Sequence, residues 1–281
     1  MKPLIDAAEL KALHAQHPEL VILDCSFDLF DVDAGERAYA AGHLPGARYV
    51  HLDRDLSGLK SVRGPVDGGR HPLPAREEWA SRLGRWGITP ETIVVAYDGQ
   101  GGCYAARAWW MLRWIGHERA AVLDGGLAAW REDGGALECA NTAVTVAPAY
   151  PAGESSMPTL TAEALAQQLG RVCLVDARAG ERYRGETEPL DTRAGHIPGA
   201  VNRFFKDNLQ PNGRFKPVEA LKADWLPLLQ AGQPVVHQCG SGVTACHNLL
   251  AMAHAGLGLG VLYPGSWSEW SADPSRPVAV G

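Results

Sequence analysis

Apolar positions along the chain come in short continuous runs followed by longer periodic stretches. The runs are Val21-Ile-Leu-Asp24, residues 93–96, Cys173-Leu-Val-Asp176 and Val235-Val236. They are too short for helices, and they are continuous rather than alternating. That is the pattern of strands covered on both faces in a parallel sheet. Behind the last run the period changes. Val243, Cys246, Leu249, Leu250, Ala253 and Leu257 share one apolar helical face. Residues 104–115 form the corresponding earlier helix, with Trp109 and Leu112 on its buried side. Repeated strand–turn–helix units predict an α/β fold built on mainly parallel sheets flanked by helices.

These units repeat as a block. Ala41-Gly-His43-Leu-Pro45-Gly-Ala47 returns as Ala194-Gly-His196-Ile-Pro198-Gly-Ala200, an offset of 194 − 41 = 153. Further along, Val94-Val95 matches Val235-Val236 at 235 − 94 = 141, and Trp130 matches Trp270 at 270 − 130 = 140. The shrinking offset puts about twelve extra residues in the first copy, within the Gly/Pro/Arg-rich stretch 57–76. Two copies fill nearly the whole chain, so a tandem of like domains is predicted. Residues 1–138 form the first domain, 139–157 a linker in an aperiodic Ala/Pro/Gly/Ser-rich stretch, and 158–281 the second.

Charge and cysteine usage narrow the partners. With 26 Lys+Arg against 32 Asp+Glu the net charge is −6, and no basic cluster interrupts it, which argues against a nucleic-acid partner. The first twenty residues mix charged with apolar positions, unlike a secretory leader, and no stretch reaches the roughly 18 apolar residues of a membrane span. Six scattered cysteines without a CxxC pair suit a reducing compartment, so a cytoplasmic location is expected.

Candidate chemistry concentrates at Cys239, placed where a buried strand ends, with Gly240, Ser241 and Gly242 next and a helix opening at Val243-Thr244. In open parallel sheets ligands bind at this edge. The glycines let successive N–H groups turn inward, and the helix N-terminus adds partial positive charge. Such a cradle favours a thiolate at Cys239 as a nucleophile, with Ser241 and Thr244 supplying hydroxyl donors. For Cys25, Cys103, Cys173 and Cys246 packing as small apolar residues is the preferred reading. A metal site at His237, Cys239, Cys246 and His247 has ligand types without paired spacing, so no metal is expected. A cysteine phosphatase would need an arginine closing the loop, and residues 240–248 contain neither Arg nor Lys.

The loop Cys239-Gly-Ser-Gly-Val-Thr-Ala245, the paired Gly-His-[Leu/Ile]-Pro-Gly-Ala motifs and the ending Pro264-Gly-Ser-Trp-Ser-Glu-Trp270 resemble the two-domain rhodanese-type sulfurtransferases across essentially the whole chain. The resemblance implies two rhodanese-like domains, with a Cys239 persulfide in the second and no catalytic cysteine in the first. Asp98 stands at the position corresponding to Cys239. Thiosulfate-using members carry Arg-Lys where this chain has Gly240-Ser241, which points to 3-mercaptopyruvate as the sulfur donor. Thiosulfate as donor, and a persulfide carrier with little small-molecule turnover, remain as alternatives. A thiol, a thioredoxin-like protein or cyanide would accept the sulfur, without a cofactor. In similar enzymes a first-domain histidine, an acid shortly before it and the loop serine handle protons. Here these are His43, Asp33 (or Asp31) and Ser241. The donor would be held by Arg182 and by the loop residues Gly240, Gly242, Val243 and Thr244. A second arginine is common where this chain has Leu190, and Arg193 is the candidate to replace it.

Overall fold

The structure, a computed structural model, describes residues 1–140, 142–229 and 232–281. Its strands are β1 (Leu4–Ile5), β2 (Val21–Asp24), β3 (Ala47–Tyr49), β4 (Val94–Tyr97), β5 (Ala120–Leu123), β6 (Cys173–Asp176), β7 (Val201–Asn202), β8 (Val235–Gln238) and β9 (Val261–Leu262). Its α-helices are α1 (Ala7–Gln16), α2 (Ala34–Ala41), α3 (Arg76–Arg85), α4 (Ala105–Trp114), α5 (Gly126–Glu132), α6 (Ala162–Gln168), α7 (Gly180–Tyr183), α8 (Val218–Trp225), α9 (Thr244–His254) and α10 (Ser266–Ala272). Among the described residues no helix is long and apolar enough to cross a membrane.

The chain divides into two compact units. The first comprises residues 1–57, 74–156 and 211–215, and the second comprises residues 58–73, 157–210 and 216–281. In the first unit five strands pair in the order β1-β5-β4-β2-β3, and in the second four pair as β7-β6-β8-β9, with every pairing parallel. Thr159 makes a parallel bridge to Leu262 beside β9, much as β1 lies beside β5. Every residue of β2, β4, β5 and β6 is buried, which accounts for their continuous apolar spelling. The first core gathers Ile22, Leu44, Val95, Tyr97 and Trp130, and the second gathers Leu174, Ile197, Val236, Trp267 and Trp270.

Helix starts follow the local chemistry. Asp6 caps α1 in a reciprocal capping box with Glu9, and the Thr161 hydroxyl accepts the Ala164 N–H at α6. The helix behind β8 departs from a one-faced pattern. In α9 every residue from Ala245 to Met252 is buried, as is every residue from Ala105 to Leu112 in α4. Leu257 lies beyond the helix, its N–H bonded to the Met252 carbonyl. The stretch expected as a linker, of which residue 141 is outside the described residues, is bonded along the first unit. The Ala147, Tyr150 and Gly153 N–H groups donate to the carbonyls of Gly84, Ala80 and Ile115. Residues 58–73, the extra piece of the first copy, pack within the second unit.

Candidate active site

Residues 239–243 connect β8 to α9, and both sides of the Cys239 peptide are fixed. Its N–H donates to Ser266 Oγ (3.1 Å), while its carbonyl accepts the Trp267 N–H (3.0 Å). The Gly240 carbonyl accepts the Ser268 N–H (2.9 Å). Ser266 donates its own hydroxyl to the Tyr263 carbonyl (2.9 Å) and, at φ 54°, is the one non-glycine residue with positive φ among those described. That backbone conformation is over-determined by bonds on each side, the usual condition for strain to persist. Gly242 has φ +75°, and a Cβ there would collide with the Pro264 carbonyl, so the turn admits only glycine. The result is a buried cysteine, 2% exposed, at the carboxyl edge of the second sheet with the N-terminus of α9 behind it.

The segment 58–73 completes this site. The Gly68 N–H donates to Glu269 Oε1 (2.9 Å) and the Arg70 N–H to Ser268 Oγ (3.0 Å). Between them Gly69, at φ +79°, lies so close to the Gly265 carbonyl that no Cβ fits. This tether brings His71 to the loop, where its Nδ1 is 2.7 Å from Ser241 Oγ, and both residues are buried. The pair is a hydroxyl coupled to an imidazole two residues from the cysteine. Such a pair can shuttle a proton.

Arginines line the other side. Arg182, on α7, donates from Nη2 to Glu188 Oε1 (2.6 Å) and to Asp191 Oδ2 (3.2 Å). Arg70 Nη1 binds the other oxygen of Asp191. Glu188 also faces Arg178 Nη1 (3.3 Å), whose guanidinium pairs with Asp176 at the end of β6 and lies 4.7 Å from the Trp267 ring centroid. Burial raises the Asp191 pKa above the usual carboxylate range, while the charge of Arg70 and its hydrogen bond, followed by the charge of Arg182, oppose that shift. Among the described residues no group of three or more His, Cys, Asp or Glu side chains could hold a metal ion.

The structure brings together Cys239, Gly240, Ser241, Gly242, Val243, Thr244 and Arg182, and it puts other candidates to different use. His43 is bonded within the first unit, with Nδ1 2.7 Å from the Tyr39 carbonyl and Nε2 3.2 Å from the Ala140 carbonyl. Its ring stacks on Tyr39 at 3.7 Å. His196 repeats this arrangement on Tyr183, at 2.8 Å to the carbonyl and 3.9 Å between rings. Both histidines of the paired motif therefore brace a turn, and the imidazole on Ser241 is that of His71. Asp33 is the exposed N-cap of α2 and makes no capping bond there, while Asp31 pairs with Arg37. Arg193 spends its guanidinium on the backbone carbonyls of Trp270, Ser271, Asp273 and Arg276 at the end of α10. It is a C-terminal helix clamp rather than a replacement for an arginine at Leu190. Arg184 pairs with Glu186 at the surface.

Sequence reasoning missed Arg70 and His71. The available signal was the twelve-residue excess of the first copy. An insertion that breaks a repeat is a place where one copy has acquired a task the other lacks.

The rhodanese-like domain family matches this chain twice, over residues 6–133 and 161–273. A probable 3-mercaptopyruvate sulfurtransferase of Pseudomonas aeruginosa is 47% identical over 284 residues, covering 99% of this chain and 98% of the relative. A putative thiosulfate sulfurtransferase of Mycobacterium tuberculosis is 40% identical over 281 residues, covering 99% and 97%. The solved structure of 3-mercaptopyruvate sulfurtransferase from Leishmania major superposes with a TM-score of 0.83 at 30% identity, covering 96% of this chain and 74% of that one. Two parallel sheets, a cysteine at the edge of the second and matches over almost the full length agree: the chain belongs to the rhodanese-like family, as a tandem-domain sulfurtransferase.

Proposed function

We propose that this protein transfers the sulfur of 3-mercaptopyruvate through a persulfide on Cys239 to a thiol or thioredoxin-like acceptor, or to cyanide. The Cys239 thiolate attacks the donor sulfur. An S–S bond forms as the donor's C–S bond breaks, and the bonding electron pair leaves on carbon as the enolate of pyruvate. The enolate takes up one proton, balanced by the donor's thiol proton, and Ser241 with His71 is the relay at hand. Attack by an acceptor thiolate on the outer sulfur then restores Cys239. This chemistry belongs in a reducing, cytoplasmic compartment, in keeping with six free cysteines.

The observation that carries the choice of donor is the makeup of the loop. Gly240 and Ser241 themselves carry no cation, and the guanidinia that stand across from Gly240, Arg70 Nη2 and Arg182 Nη1 at 3.1 Å and 3.4 Å from where a Cβ would lie, are already paired with Asp191. A compact dianion such as thiosulfate calls for charge beside the sulfur, while a 2-oxoacid presents its carboxylate two carbons away. The second reading, thiosulfate as donor, is favoured by the M. tuberculosis relative. Specificity constants for both donors at one pH and acceptor concentration test the choice. A higher kcat/KM for 3-mercaptopyruvate is expected, and Arg182→Ala should lower it about 10- to 100-fold, mainly through KM. An equal or higher value for thiosulfate transfers the assignment to the second reading.

A further inference from the structure

We propose that Arg70 is the second donor-binding arginine of this site. It reaches the site from the 58–73 segment and sets specificity for a donor carrying a carboxylate. This inference rests on the donor reading above and adds a residue to it.

Arg70 and Arg182 share one buried carboxylate and turn their remaining nitrogens towards one place. Asp191, with a side chain 3% exposed, binds Arg70 through Nη1 and Arg182 through Nη2. The opposite nitrogens, Arg70 Nη2 and Arg182 Nη1, then lie 3.1 Å and 3.4 Å from the point that a Cβ on Gly240 would occupy. That point adjoins the residue after the reactive cysteine. Two forks aligned by a common anion form a receptor for a planar carboxylate, and their ordering is settled before any ligand arrives. Both arginine side chains keep about a fifth of their surface exposed, 20% and 18%, so each is accessible to a ligand as well as anchored.

Position suits the donor. In 3-mercaptopyruvate the sulfur is joined through a methylene and a carbonyl carbon to the carboxylate, so a sulfur at Cys239 leaves the carboxylate a short reach away, over Gly240. A Cβ on Gly240 would press on the Arg70 guanidinium at 3.1 Å and touch that of Arg182 at 3.4 Å, so the glycine leaves both where Asp191 holds them. Asp191 is a positioning residue here. It holds the arginines without itself meeting the donor.

The test compares 3-mercaptopyruvate with mercaptoacetone, which keeps the thiol and carbonyl and replaces the carboxylate by a methyl group. In the wild-type protein kcat/KM should strongly favour the oxoacid. In Arg70→Ala that preference should fall about 10- to 100-fold, the worth of a charge-assisted carboxylate contact, chiefly through KM of the oxoacid, and Arg70→Lys should retain part of it. An Arg70→Ala protein that keeps the wild-type preference overturns the inference and leaves the donor reading standing. An equal loss with both donors also overturns it, because a merely structural Arg70 would act on both alike. A wild-type protein without preference for the oxoacid overturns the donor reading and this inference together.

Discussion

Two loops stand at the same place in two sheets, one after β4 and one after β8, and they hold different occupants. After β4 the Asp98 carboxylate folds back into its own loop. One oxygen accepts the N–H groups of Gln100 and Gly102 (both 2.8 Å), and the other accepts those of Tyr104 and Ala105 (both 2.9 Å). After β8 the corresponding residue is Cys239, held by its backbone to the start of α10. The first loop shows what this turn is built to do, which is to gather amides around a negative charge at a helix N-terminus. In the first unit the occupant is a carboxylate belonging to the chain itself. In the second the residue is a thiol in place of a carboxylate. One scaffold thus holds a carboxylate in one unit and, in the other, the thiol proposed above as the nucleophile.

Exchanging the occupants tests that contrast most severely. Cys239→Ser should abolish transfer while the fold persists, because an alcohol can neither ionise appreciably nor carry a sulfane sulfur. Adding Asp98→Cys to that variant should not restore it, because the first loop lacks an equivalent of the His71–Ser241 pair. Intact mass after exposure to the donor reads both outcomes, and addition of one sulfur atom to the double variant would break the comparison.

Asp98→Asn keeps the shape of the carboxylate and replaces one acceptor oxygen by a donor facing two N–H groups. A loss of about 3–5 kcal/mol is expected from charge-assisted bonds forfeited in a buried site. Urea denaturation measures it, and a change below about 1 kcal/mol would mean that the four bonds do not hold the turn.

The two histidine sets sharpen the comparison further. His71→Gln should reduce turnover about 100-fold, the usual worth of a positioned acid–base group. His43→Gln should lower the melting temperature while leaving turnover per folded molecule near wild type. The reverse outcome would return the proton-handling role to His43.

The smallest effect concerns acid. Each unit buries a neutral imidazole whose pKa burial lowers from 6.5, to about 4 for His117 and to about 3 for His237. The unfolded chain binds more protons in these windows, so the stability from neutral burial is present above pH 6.5. It is lost as the pH falls, with a slope of at most about 1.4 kcal/mol per pH unit for each group. His237→Leu should flatten the second unit's acid transition. An unchanged pH profile would show that protonation there is not what destabilises it.

Much of this was legible in the chain. The apolar runs, the repeat and the Cys-Gly-Ser-Gly turn follow from periodicity and local backbone constraint, which operate over a few residues. The reading of His43 failed because the motif Gly-His-x-Pro-Gly-Ala is spelled alike for His43 and His196, and spelling does not reveal that each ring is spent on a tyrosine stack and a carbonyl. Arg193 misled for a similar reason. A guanidinium near a donor site and one closing a helix end look the same until the carbonyls of α10 are in place.

The sequence by itself determined two parallel α/β units and the place of Cys239 at the end of β8, with Asp98 at the corresponding end of β4, because each depends on short-range pattern or on a single residue type. Only the tertiary structure decided which side chains reach the loop that follows Cys239. His71 and Arg70 lie in an inserted segment of the first copy, about 170 residues from the loop they serve. They arrive through three contacts no local rule encodes: two amide bonds to Glu269 and Ser268, and a glycine pressed against the Gly265 carbonyl. Contacts of that separation form when the folded chain closes a long loop, and their cost and their partners are properties of the whole fold.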